Sequence, residues 1–209
     1  MNFFFISLHP KLVRAFAQEG LIARAIKDSK IQIQSVDLRK FGIGKHKKVD
    51  DRPYGGGAGM LLRPEPIVEA MRSLGELPNC RKILLSPRGQ IFNQKKAKDL
   101  SQYENLIFVC GRYEGVDERV AEFYVDEEIC VGPYVLMGGE VGAFAMTEAI
   151  SRLVPGVLGN QDSLAEESFG EDLDQEYPQY TRPEEFEGHS VPEVLKSGHH
   201  QNVKDWRNK

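Results

Sequence analysis

Three blocks of this 209-residue sequence share one pattern, in which a strand-like run is followed at once by a loop rich in glycine or proline. The blocks contain 83–90 (ILLSPRGQ), 106–115 (LIFVCGRYEG) and 131–140 (VGPYVLMGGE). Short apolar runs of this kind are typical of buried strands. Glycine lets the backbone approach a ligand closely, because it has no Cβ. Three such loops at one edge of a parallel sheet would form a ligand crevice, as in other α/β folds.

The rest of the chain alternates strand and helix patterns, which indicates an α/β fold with a parallel sheet covered by helices on both faces. We assign strands to 3–8, 31–36, 82–85 and 106–109. Helical spacing predicts helices over 11–26 with a break at Gly20, and over 64–74, 92–101, 117–123 and 142–153. The acidic stretch from 155 to about 187 has no sustained period and is predicted to be a linker or mobile loop.

Composition narrows the class of protein. No run approaches 18 apolar residues, so no membrane span is predicted. Three cysteines without metal-ligand spacing fit a reducing cytoplasm, and the scattered histidines give no zinc pattern, so we expect no metal cage. The net charge of −4 hides an asymmetry: residues 1–60 hold eleven Lys and Arg against five acids, whereas 160–190 hold ten acids and one Arg. One interpretation is that both runs are solvated surface. The alternative is that 1–60 forms a basic face for phosphates and 160–190 an acidic mobile segment.

Residues 41–60 (FGIGKHKKVDDRPYGGGAGM) join basic residues to a glycine-rich run. A flexible surface loop is one interpretation. The preceding DDRPY favours another, because carboxylates beside a guanidinium suit recognition of a polar planar ring with phosphates nearby.

These motifs, taken together, resemble the bacterial tRNA (guanine-N1)-methyltransferases, which use S-adenosylmethionine as methyl donor. The matching pieces lie in order along almost the whole chain: VDDRPYGGG at 49–57, LSP at 85–87, CGRYEG at 110–115, DER at 117–119, YVL at 134–136, GGE at 138–140, SR at 151–152, PGVLG at 155–159 and YTRP at 180–183. The resemblance implies a deep trefoil knot of the SPOUT type within the α/β fold, plus a short C-terminal helical segment. It also implies three regions: a knotted domain over 1–158, an acidic active-site loop over 159–188 and a tRNA-binding segment over 189–209.

The resemblance assigns roles to individual residues. Glu167 takes the place of the catalytic base and Arg152 that of the arginine that balances charge on the guanine. The expected substrate residues are Asp50, Arg52, Tyr54, Gly57 and His200. The expected donor-binding residues are Leu85, Ser86, Pro87, Gly111, Tyr113, Glu114, Val131, Gly132, Pro133, Tyr134, Val135, Leu136, Gly138 and Gly139.

The chain departs from the family pattern at four places. Glu167 stands where aspartate is usual, Pro133 where an acid is common and Gly142 where proline is common. Many members continue for some tens of residues beyond the point corresponding to Lys209. Glu166, beside Glu167, is an alternative base.

The function implied is methylation of N1 of the guanosine immediately 3′ of the anticodon, by a cytoplasmic homodimer whose sites use both chains. Whether Mg²⁺ is also required is left open. The alternatives are a knotted methyltransferase acting on another RNA, and a non-catalytic homologue that binds RNA or S-adenosylmethionine.

Overall fold

The computed structural model describes residues 1–158 and 177–207. The chain divides into two compact units, Met1–Gly159 and Asn160–Lys209. The described strands are β1 (Asn2–Ser7), β2 (Gln32–Asp37), β3 (Asp50–Asp51), β4 (Leu61–Leu62), β5 (Cys80–Ile91), β6 (Asn105–Cys110), β7 (Glu127–Cys130), β8 (Glu185–Phe186) and β9 (His189–Ser190). The described helices are α1 (Pro10–Phe16), α2 (Gly20–Lys27), α3 (Pro64–Arg72), α4 (Gln94–Leu100), α5 (Glu118–Phe123), α6 (Gly139–Ser151), α7 (Glu193–Lys196) and α8 (His200–Arg207).

The first unit is built on a five-stranded sheet in the order β2-β1-β6-β5-β7. Every pairing between these strands is parallel. The predicted α/β fold with a parallel sheet is therefore confirmed. Strand order and pairing do not determine how the chain threads through its own loops, so the trefoil knot stays a prediction.

Alternation along β1 explains why helices cover both faces of the sheet. Phe3 and Phe5 join a core formed with α1, α2, α4 and α6, whereas Phe4 and Ile6 join a second core formed with α3 and α5. Successive side chains of a strand point to opposite faces, so a continuous apolar run is buried on both. Local signals set the helix starts: proline is the first residue of α1 and α3, and Asn93 and Asp117 accept hydrogen bonds from the first turns of α4 and α5.

Two parts of the sheet differ from the periodicity-based assignment. β5 runs to Ile91 instead of ending at 85, with a register shift between Leu85 and Gln90 where it pairs with β7. Gly89 permits this course, because a Cβ there would lie 2.4 Å from the carbonyl carbon of Glu128. β7 has no counterpart among the four assigned strands, although the loop that follows it was predicted.

Within the second unit, the described residues form a short hairpin, β8 with β9, followed by α7 and α8. The predicted boundary between the active-site loop (159–188) and the tRNA-binding segment (189–209) falls inside this hairpin. The Tyr180 and Trp206 rings lie 6.2 Å apart, and the Arg207 guanidinium lies 4.5 Å from the centre of the Tyr177 ring. The helices agree with the predicted C-terminal helical segment.

In the parts of the chain that the structure describes, no helix has both the length and the apolar character needed to cross a bilayer.

Candidate functional site

A cavity of about 230 Å³ lies where β5, β6 and β7 end. The parallel register aligns Leu85 with Cys110 on one side and with Ile129 on the other. The loops that leave these three strands therefore start at the same edge of the sheet. This is the convergence that the three sequence blocks predicted.

Most of the expected donor-binding residues line this cavity. They are Leu85, Ser86, Pro87, Gly111, Tyr113, Glu114, Val131, Tyr134, Val135, Leu136, Gly138 and Gly139. Gly132 and Pro133 do not line it. The lining also includes residues to which the sequence analysis gave no role: Arg112, Gly115, Ile129, Cys130, Met137 and Gly142. Arg112, Gly115 and Met137 lie inside the quoted motifs, so position in those motifs was an available signal for them.

The loop after β7 offers backbone donors to a ligand. The backbone N–H groups of residues 135–138 donate to no acceptor in the described part of the chain, whereas that of Tyr134 donates to the Gly132 carbonyl at 2.8 Å. Leu85 and Ile129 add buried apolar surface to the same cavity. Apolar walls with a few placed polar groups suit a ligand that has a flat ring and polar edges, such as the adenine of S-adenosylmethionine.

A buried ion pair fixes two of the three loops to each other. The side chain of Glu140, in the first turn of α6, is fully buried and accepts hydrogen bonds from Arg112 Nε at 2.9 Å and from Ser7 Oγ at 2.6 Å. Arg112 Nη1 also donates to the Met137 carbonyl at 3.2 Å. The carboxylate thus connects the end of β1, the loop after β6 and the loop after β7. We name these three side chains, Ser7, Arg112 and Glu140, the buried clamp.

Two glycines let these loops approach each other. A Cβ on Gly138 would lie 2.2 Å from Arg112 Nε, so this glycine makes room for the clamp. A Cβ on Gly139 would lie 2.8 Å from the Cα of Cys110, and the Gly139 N–H donates to the Gly111 carbonyl at 2.9 Å. The start of α6 therefore packs directly on backbone at the end of β6.

The expected substrate segment lies beside the cavity at the ends of β5, β6 and β7. β3 pairs with β4, and β4 itself is joined to the loop after β6, since the Leu62 N–H donates to the Gly115 carbonyl at 3.0 Å. Asp50 interacts with the hydroxyl of Tyr113, a cavity residue. Burial, followed by the charge of Asp50 and a hydrogen bond with it, raises the pKa of Tyr113 above its ordinary value of 10.

The backbone of that segment is held in an unusual conformation. Gly55, Gly56 and Gly57 all have positive φ, at 82°, 81° and 123°. Residues other than glycine rarely adopt these backbone angles, so the conformation of this segment requires the glycine run. Tyr54, just before it, is fully exposed. The segment therefore presents an aromatic ring on a glycine-shaped turn close to the cavity.

Of the two expected catalytic residues, only Arg152 is described, and it does not line this cavity. Arg152 is exposed and follows the last residue of α6, 13 residues after Gly139. At 1.5 Å per residue the helix carries it about 20 Å from the cavity end, farther than an arginine side chain reaches. Glu167 and its alternative Glu166 lie outside the described residues. His200 begins α8 in the second unit and is exposed.

Cys110, the last residue of β6, is not a nucleophile. Burial, followed by the nearby charge of Glu140, raises the pKa of the Cys110 thiol well above 9. The thiol is therefore neutral at physiological pH. Among residues 1–158 and 177–207, no group of three or more His, Cys, Asp and Glu side chains is placed to hold a metal ion.

Comparison with known proteins agrees with this geometry. The model of the family "tRNA (Guanine-1)-methyltransferase TrmD" matches residues 1–209. The chain is similar to a tRNA (guanine-N(1)-)-methyltransferase of Clostridium perfringens, 50% identical over 98% of this chain and 85% of the relative. It is also similar to one of Staphylococcus aureus, 46% identical over 99% of this chain and 84% of the relative.

A solved structure supports the same relationship. The tRNA (m1G37) methyltransferase from Aquifex aeolicus has a TM-score of 0.80 and 39% sequence identity, covering 99% of this chain and 87% of that one. The chain therefore belongs to the tRNA (guanine-1)-methyltransferase family.

Proposed function

We propose that this protein transfers a methyl group from S-adenosylmethionine to N1 of guanosine 37 of tRNA, the nucleotide immediately 3′ of the anticodon. The observation that carries the proposal is the cavity at the ends of β5, β6 and β7, with the Asp50–Gly57 segment beside it. One edge of the sheet thus combines surfaces for a donor and for a base. A tRNA substrate also supports a location in the cytoplasm.

The loops of the cavity are suited to holding the donor. Bound S-adenosylmethionine supplies an electrophilic methyl group. The N–H groups of residues 135–138 are available for hydrogen bonds to its polar edges, and the buried clamp fixes the loops that carry them. Rigid loops hold the donor in one orientation, so less entropy is lost when the two reactants are aligned.

Two further residues carry the proton and charge chemistry of this proposal. Guanine N1 bears a proton, and its removal leaves negative charge on O6. Glu167 accepts the proton as general base, and Arg152 stabilises the charge that develops on O6. Asp50 and Arg52 hold the base beside the cavity.

The position of Arg152 supports a homodimeric enzyme. Since α6 separates this residue from the cavity of its own chain by about 20 Å, it reaches reacting atoms only at the cavity of a partner chain. Each site would then combine the donor loops of one chain with Arg152 of the other. Sedimentation is expected to give twice the 23.6 kDa chain mass.

Methyl transfer to defined tRNAs tests the function. The proposal predicts methylation of a tRNA with guanosine at position 37 and none of the same tRNA with adenosine there. Equal methylation of both would favour a methyltransferase for another RNA site, and methylation of neither would favour the non-catalytic homologue. Titration with a chelator in this assay tests whether Mg²⁺ contributes.

Mixed dimers test the composite site. Arg152→Ala is expected to lower turnover roughly 10²-fold or more, the usual effect of losing one oxyanion donor. Gly138→Val is expected to disrupt the donor loops, because its side chain would overlap Arg112. When the two inactive variants are unfolded together and refolded, half of the dimers contain both chains, and one site of each is intact. The mixture should regain roughly a quarter of the parent activity, whereas sites built within one chain would regain none.

A further inference from the structure

We propose that residues 39–48, named here the basic hairpin, bind the RNA phosphates that flank the target guanosine. The inference rests on the proposed function and assigns it a specific RNA-binding surface. The hairpin carries five cations, Arg39, Lys40, Lys45, Lys47 and Lys48, and no acid. All five are exposed.

None of the five cations forms an ion pair with an acid in the described part of the chain. Elsewhere arginines and lysines form ion pairs, including Arg63 with Asp51, Arg88 with Glu118 and Lys96 with Glu127. Unpaired like charges in ten consecutive residues repel one another and destabilise the folded state. A polyanionic partner would offset that repulsion.

The backbone holds these charges in two adjoining elements. Arg39 and Lys40 lie in a 3-10 helix (Leu38–Phe41), and the three lysines lie in the tight turn that follows it. Ile43 and Lys48 exchange backbone hydrogen bonds of 2.8 and 3.0 Å, and the Lys47 N–H donates to the Gly44 carbonyl at 3.2 Å. At Gly42, a Cβ would lie 2.2 Å from the Lys47 carbonyl oxygen, so only glycine allows this approach. The lysines of the turn therefore project from an ordered hairpin.

Both ends of the hairpin are anchored near the candidate site. Leu38 precedes it and Val49 follows it, and both are buried in the same core. The chain then continues directly into Asp50, which interacts with Tyr113 of the donor cavity. The charge of Arg39 also acts on the Tyr113 hydroxyl and opposes the rise in its pKa. The cations thus lie beside the place where a target base would enter.

An RNA backbone fits this surface for a specific physical reason. Lysines that neutralise phosphates release condensed counterions, so affinity becomes salt-dependent, and each contact adds about 0.7–0.9 to the slope of log affinity against log salt. Such contacts position the nucleic acid without reading its sequence. The hairpin would hold the strand while the Asp50–Gly57 segment receives the base.

The test compares two double variants that remove the same charge. Lys45→Gln with Lys47→Gln changes the basic hairpin. Lys95→Gln with Lys98→Gln changes two exposed lysines of α4, which packs on the other face of the sheet from the core that holds Leu38 and Val49. Binding of a guanosine-37 tRNA is measured by fluorescence anisotropy between 50 and 200 mM salt, with thermal melting of each variant to check that it is folded.

The hairpin variant is expected to bind the tRNA roughly ten-fold more weakly at low salt, with the slope reduced by about 1.4–1.8. The control is expected to stay close to the parent in both measurements. Equal affinities and slopes for the hairpin variant and the control would overturn the proposal, as would an equal loss in both.

The proposed function is judged separately, by methylation of the same tRNA by the parent protein. If the parent methylates guanosine 37 and the two variants bind alike, the hairpin inference alone is wrong. If the parent binds with a hairpin-dependent slope but does not methylate, the proposed function is wrong and the hairpin inference stands.

Discussion

Removal of one charge from the buried clamp is expected to destabilise the first unit strongly. Glu140 is fully buried and the Arg112 side chain is 19% exposed, so neither charge has much access to water. Removal of one partner from such a pair leaves an uncompensated buried charge and costs about 3–5 kcal/mol. Glu140→Gln keeps the shape and a hydrogen-bonding group, so we expect the lower end, about 3 kcal/mol.

This value corresponds to a decrease of roughly 6–12 °C in the melting temperature, since 1 kcal/mol shifts a domain of this size by about 2–4 °C. The free energy of unfolding is measured by urea titration at pH 7 with linear extrapolation. A double-mutant cycle with Arg112→Gln then isolates the pair, and the double variant should lose less than the sum of the two single variants.

Glu69→Gln is the matched control. It makes the same acid-to-amide change in the exposed pair of Glu69 with Arg72 on α3. An exposed pair contributes about 1 kcal/mol or less. If Glu140→Gln costs no more than this control, the clamp does not stabilise the loops and our reasoning about its burial is refuted.

Three other outcomes are expected. Gly139→Ala should lower the free energy of unfolding by about 1–3 kcal/mol, because the new Cβ meets backbone at Cys110. Gly142→Ala should stay within about 1 kcal/mol of the parent, because its Cβ meets only side-chain atoms at 3.3 Å and alanine is the better helix former. Burial opposes ionisation of Glu127, but hydrogen bonds from Lys96 and Arg81 outweigh it and lower the pKa of this carboxyl below 4.5. The stability that the carboxylate adds should therefore be complete at neutral pH and decrease as pH falls below about 4.5. Glu127→Gln should weaken that pH dependence of the free energy of unfolding in urea titrations. At pH 8, mass spectrometry after brief treatment with iodoacetamide should find Cys110 unmodified in the folded protein and alkylated after unfolding. Rapid alkylation of the folded protein at Cys110 would contradict its burial.

The sequence predicted those parts of the fold that depend on local patterns. The apolar runs of β1 and β6 identify buried strands without other information, and Gly20 marks the break between α1 and α2. β7 contains only four residues, two of them glutamates, so it has no apolar run. Its Glu127 is neutralised by Arg81, 46 residues earlier in the chain, which no local pattern can indicate.

In the candidate site, too, the features set by local sequence were predicted and those set by distant contacts were not. The glycine-rich loops after three strands predicted where the cavity lies, because parallel strands end at a common edge. The clamp was not predicted, although Arg112 and Glu140 belong to motifs that drew attention. Their pairing, and the contact of Glu140 with Ser7 133 residues away, depend on how the chain folds back on itself.

The order of strands in the sheet has a consequence for the newly synthesised chain. β1 lies between β2 and β6, yet β6 begins at Asn105, 68 residues after the end of β2. At about 5–20 residues per second, a ribosome needs roughly 3–14 s to add those residues. During that time β1, with three consecutive phenylalanines, has one edge without its partner strand. α6, which completes the cavity, is synthesised after β6. A nascent chain therefore exposes an aromatic strand edge for seconds, which makes it a ligand for chaperones that bind such segments. The cavity at the ends of β5, β6 and β7 forms only after this interval.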